Sequence, residues 1–183
     1  MGWSMSWLAV HGKTPAEVHQ VLGLRPTGQP CLAGEQPFSG AQLEGGWYVV
    51  AANLRDGAAL PLEALPPELA GRAVAATVVD STMYCEARAW RDGRVAWSLA
   101  HDPSVGMAHL ETKGELPAGF ESRRAEAMAK LAEDPEYDPL YEVPLDLAEN
   151  ETNFRHDSCE RDFEVLELIT PPAPPKKPWW KRW

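Results

Sequence analysis

The sequence predicts an α+β fold: a mostly antiparallel sheet with helices packed on one face. Three observations carry this. Residues 83–90 and 94–101 alternate in pattern around Asp92-Gly93, a dipeptide suited to the tight turn of a β-hairpin. Residues 46–53 and 74–79 are dense in β-branched and aromatic side chains, as strands are. Residues 117–133 repeat apolar side chains at helical spacing.

The elements follow in order. Residues 3–10 form a short apolar strand. Thr14-Pro15-Ala16-Glu17 then puts Thr at the N-cap, Pro at the first helical position and Glu at the third, so Thr14 and Glu17 can satisfy each other's orphan amides. The helix continues through Val18, Val21 and Leu22 and stops at Gly23. Residues 24–45, rich in Gly and Pro, read as a long loop. Strand 46–53 follows, then a short helix around 62–65. The near-continuous apolarity of 74–79 places that strand centrally.

In the hairpin a two-residue turn sets Trp90 opposite Val95, Arg88 opposite Trp97 and Glu86 opposite Leu99 on one face. The other face carries Cys85, Ala87, Ala89, Ala96, Ser98 and Ala100, small enough for a helix to approach closely. Residues 108–113 add a strand. Along 117–133, Phe120, Ala127, Met128 and Leu131 make the apolar stripe that packs on the sheet; Arg123, Arg124, Glu126 and Lys130 face water. An acidic loop at 133–139, a short helix at 143–154 and a closing strand at 163–169 complete a single domain over 1–170.

The chain has 183 residues, 44% of them hydrophobic, which is enough for one domain with an unstapled core. Its net charge is −10, and residues 121–170 hold fifteen Asp and Glu against five Lys and Arg. An acidic body repels phosphate backbones, so nucleic acid is excluded as a partner of the domain and a basic protein is favoured. The last thirteen residues, PPAPPKKPWWKRW, reverse the balance with four basic residues and three Trp. Their prolines favour an extended form. Three cysteines, Cys31, Cys85 and Cys159, lie far apart without a CxxC, which suits a reducing compartment. The N-terminus has no basic segment preceding an apolar run, and no stretch is long enough to span a bilayer. The expected location is the cytoplasm.

Four constellations carry potential chemistry. Glu133, Asp134, Glu136, Asp138 and Glu142 read as a docking surface for a basic partner, against the plain alternative of a solvated helix end. Their spacing lacks the order of a calcium loop. Trp179, Trp180 and Trp183 in the tail would meet a groove or a membrane interface, or fold back on the acidic body. His156, Asp157 and Cys159 hold the groups of a cysteine nucleophile, but without a Gly-rich turn around the thiol. The five histidines are scattered, with neither HExxH nor HxH, so no metal or other cofactor is expected; His101 and Asp102 at the hairpin end are the best base or ligand pair. GxxxxGK[ST], GxGxxG and GxSxG do not occur.

The segments WSMSWLAVHGKTPAEV, GGWYVVAAN, AWRDGRVAWSLAHD, HLETKGELPAGF and VPLDLAENETNFRHD together resemble a family of uncharacterised bacterial proteins, over most of residues 3–157. In size, charge and lack of catalytic signature the chain is also similar to the immunity proteins of type VI and polymorphic toxin systems. That resemblance implies a non-catalytic cytoplasmic protein that occludes the active site of a cognate toxin. The alternatives are an enzyme or ligand-binding domain using His101, Asp102 and Cys159, and a peripheral membrane adaptor using the tail.

Overall fold

The chain begins with the strand that becomes the middle of its sheet. The computed structural model describes residues 2–158 and 161–169; the tail tryptophans Trp179, Trp180 and Trp183, and Cys159, lie outside these residues. The described strands are β1 (Ser4–His11), β2 (Leu24–Cys31), β3 (Phe38–Gln42), β4 (Trp47–Asn53), β5 (Arg72–Val79), β6 (Tyr84–Arg91), β7 (Arg94–His101), β8 (Glu111–Gly114) and β9 (Phe163–Leu168). The helices are α1 (Pro15–Leu22), α2 (Phe120–Glu133) and α3 (Glu142–Thr152). All nine strands join one sheet in the order β2-β9-β3-β4-β1-β5-β6-β7-β8, and every pairing is antiparallel. The fold is α+β, as the sequence predicts.

β1 shows why central strands read as unbroken apolar runs. Its alternate side chains serve two cores. Met5, Trp7 and Ala9 join the cluster under α2 and α3, while Leu8 and Val10 join the cluster under α1 and the segment around Leu69. Each large side chain so buried contributes about 1.5–3 kcal/mol. Thus α2 and α3 share one face and α1 covers the other. The capping box of α1 forms as expected: Glu17 N donates to Thr14 Oγ1, and Thr14 N to Glu17 at 2.8 Å. Gly23 ends the helix in the left-handed region.

Five expectations of the fold are corrected. Residues 24–45 are not one loop but hold β2 and β3. β2 tolerates Pro26 and Pro30 because it is an edge strand, with a register shift between them. β9 does not close the sheet at its end but inserts between β2 and β3. The helix laid on the small-residue face of the hairpin is α3, which packs on β5, β6 and β7; α2 packs chiefly on α3 and the turn before it. The added strand runs Glu111–Gly114, later than 108–113.

The fifth correction is the hairpin register. Asp92 and Gly93 both adopt positive φ (50° and 78°), the turn that Asp-Gly favours. Trp90 faces Val95 as expected, but a bulge follows, and Ala89 then faces Trp97 and Ala87 faces Leu99. Ala96 is the extra residue. A one-residue slip moves side chains to the opposite face. Trp97 and Leu99 therefore turn inward beside Cys85, Ala87 and Ala89, where α3 covers them. The Ala96 carbonyl accepts from Glu115 N at 3.2 Å, and Trp97 Nε1 donates to Glu151 of α3 at 3.0 Å. Among the described residues no helix is long and apolar enough to cross a membrane.

Candidate functional site

β7 ends at His101, whose side chain is fully buried. Its Nδ1 lies 2.7 Å from the His109 carbonyl, and its Nε2 lies 2.9 Å from Asp138 Oδ2. A carbonyl only accepts, so Nδ1 carries a proton. The Nε2–Oδ2 contact needs a second proton, held by the ring or by the carboxyl. His101 thereby clamps two loops together: 102–110, through the His109 carbonyl, and 134–138, through Asp138. Asp138 Oδ1 is buried without a partner among the described residues.

The acidic loop is also ordered from within. Asp134 N donates to Lys130 O and closes α2. Glu136 N donates to Asp134 Oδ1 at 3.1 Å, and Tyr137 N to Asp134 O at 3.2 Å. Beyond Asp138 the chain enters a buried turn, Pro139–Tyr141, and Tyr141 donates to Asp80 at 2.5 Å.

The five carboxylates expected on one docking surface divide. Glu133, Asp134 and Glu136 are exposed, and among the described residues none has an ion-pair partner. Asp138 is a correction. It is only 7% exposed, because it serves His101, and offers nothing to a partner's surface. Glu142 is turned toward Arg155, which also meets Asp146 at 2.9 Å, Glu149 at 3.8 Å and Asp157 at 2.9 Å. Burial works against the Arg155 cation, but Glu142 and Asp157 outweigh it and hold the guanidinium above its ordinary range. Arg123 adds a 2.6 Å pair to Asp146. Glu142, Asp146, Glu149 and Asp157 thus each meet a guanidinium supplied by the fold.

Two exposed apolar side chains accompany this loop. Tyr137 is 50% exposed, and loop 102–110 presents Val105 at 68%. The signal for Tyr137 in the sequence is an aromatic set inside a run of acids.

His101 and Asp102 are adjacent but occupied. Asp102 accepts from Ser104 N at 2.9 Å and from Ser104 Oγ at 2.6 Å, bonds that hold its carboxyl below the usual range. His156 is buried and edge-on to Trp3, and burial pushes its imidazole below the ordinary value. Cys85 and Cys31 are free thiols, the first fully buried. A cavity of about 520 Å³ is lined by Glu149, Asn153, Arg155, Ser158 and Arg161, away from His101. Among the described residues no group of three or more His, Cys, Asp or Glu side chains is placed to hold a metal ion. No protein-family model, no curated protein and no solved structure matches the chain.

Proposed function

We propose that the protein is a non-catalytic binding protein of the immunity type, which docks a basic protein on the loop carrying Glu133, Asp134 and Glu136 and occludes that partner's active site. One observation carries this reading. The fold pairs the carboxylates of α3 with Arg155 and Arg123, yet leaves these three exposed without a cation among the described residues. Like charges at a loop tip repel one another, and a cationic partner relieves that repulsion while steering its own approach. The His101–Asp138 clamp favours binding further, because a loop already held loses little freedom on docking. Tyr137 supplies an aromatic contact beside the charges, the residue type that anchors interfaces.

The test begins with capture of a partner from the native host and its identification. The purified partner is then titrated against the wild type and the Glu133→Lys/Asp134→Lys/Glu136→Lys variant. The reading expects affinity to fall by about 100-fold on charge reversal and to weaken with salt, and co-expression to rescue cells poisoned by the partner. Unchanged affinity in the reversed variant would remove it.

A further inference from the structure

On the α1 face, strands β2, β9, β3 and β4 floor an open cavity of about 390 Å³. Its polar lining is Tyr48, Gln42, Gln29, Asp162 and Glu164; Pro15 and Pro30 supply apolar wall. The floor is built closely. Gly40 pairs with Glu164 across the strands, and a Cβ on Gly40 would collide with the Tyr48 hydroxyl, so that hydroxyl lies directly over the glycine.

Most donors around this cavity are already committed. Tyr48 is buried, and its hydroxyl lies 2.6 Å from His19 Nε2. The phenol and the imidazole share one proton along this contact, and the Tyr48 oxygen keeps a lone pair in either direction. Burial pushes the His19 imidazole below its ordinary value and the Tyr48 phenol above its own. Gln42 Nε2 donates to the Trp47 carbonyl at 2.7 Å and leans on the Leu43 carbonyl at 3.5 Å. Gly28 N donates to Glu164 Oε1 at 2.7 Å. What remains around the cavity is the side-chain amide of Gln29 and a set of acceptors: the Tyr48 oxygen, Gln42 Oε1, the second oxygen of Glu164 and the carboxylate of Asp162. Among the described residues neither carboxylate has an ion-pair partner.

We propose that this cavity binds an alkylammonium or alkylguanidinium group, with Glu164 and Asp162 supplying charge, Tyr48 and Gln42 accepting hydrogen bonds, and the prolines packing the methylene stem. A cation rich in donors matches a wall of acceptors, and a flexible aliphatic stem lies well on apolar surface while its head stays on the carboxylates. A free amine, a Lys or Arg side chain of another protein, and the basic residues of this chain's own last thirteen positions share that chemistry.

The experiment titrates the full chain with n-butylammonium and n-butylguanidinium, following the Gly28 and Gly40 amide resonances, with butyrate as the anionic control. The proposal expects saturable shifts with the cations, none with butyrate, and about tenfold weaker binding in Glu164→Gln, whose carbonyl still accepts from Gly28 N. Asp162→Asn, at an exposed residue, is expected to weaken binding in the same direction. A Lys176→Ser/Lys177→Ser/Lys181→Ser/Arg182→Ser variant distinguishes the sources: tighter probe binding identifies the chain's own tail as a competitor, and unchanged binding identifies an external one. No saturable shift with either cation, or undiminished binding in both acid variants, overturns the proposal. The Glu133→Lys/Asp134→Lys/Glu136→Lys variant retains this site, so its outcome is independent of the acidic-loop reading.

Discussion

His101 Nε2 and Asp138 Oδ2 meet at 2.9 Å across the base of the acidic loop, both side chains sealed from solvent. Thirty-seven residues separate them in sequence. Because the second nitrogen of His101 is spent on the His109 carbonyl, this one side chain holds the hairpin end, the following loop and the acidic loop in register.

Removing one member of a buried hydrogen-bonded pair leaves the other without its partner. His101→Ala is expected to cost about 3 kcal/mol of stability in urea unfolding, and Asp138→Asn, which keeps an acceptor for Nε2, about 1 kcal/mol. Amide exchange across 134–138 should accelerate in both. Equal stabilities of wild type and His101→Ala would show the contact to be idle.

Acid should weaken the fold near neutrality. His156 and His19 are both held below the ordinary value of 6.5, chiefly by burial. The unfolded chain therefore binds more protons than the folded one below pH 6.5, so stability is full above 6.5 and is lost as pH falls toward the folded values. Chemical denaturation at pH 7.5, 6.5 and 5.5 reads this slope. A His156→Phe variant, which keeps an aromatic ring against Trp3, should flatten it.

The bulge at Ala96 decides which face Trp97 and Leu99 occupy. Deleting Ala96 restores simple alternation and turns both side chains out of the core. The expected result is a red-shifted tryptophan emission and loss of a cooperative unfolding transition. Trp97→Phe retains most of the apolar volume but loses the bond to Glu151, at a cost of about 1–2 kcal/mol.

Arg155 stands among Glu142, Asp146, Glu149 and Asp157 at 13% side-chain exposure. Arg155→Met removes the cation and leaves the acids to repel one another. A loss of about 2–3 kcal/mol is expected, partly recovered in high salt because the carboxylates themselves are half-exposed. Indifference to salt would place the cost in packing rather than charge.

Local chemistry was legible wherever the signal was local. The capping box of Thr14 and Glu17 and the Asp92-Gly93 turn depend on neighbours within a few residues, and both form as read. β2 and β3 were missed because their stability comes from pairing rather than propensity: FSGAQ becomes a strand between β4 and β9. The acidic run was visible by composition, but its division was not. Nothing near Asp138 in sequence announces His101, and nothing near Glu142 announces Arg155.

The sequence by itself determined the class of the fold, the helix and hairpin boundaries set by caps and turns, and the sign of the surface, since composition and short-range backbone chemistry suffice for these. Tertiary structure alone decided which charges are free. The chain turns back after α3 to set Arg155 against that helix's acids, and the packing of distant segments brings His101 to Asp138; an ion is paired by whatever lies within a few ångströms, however far along the chain it comes from.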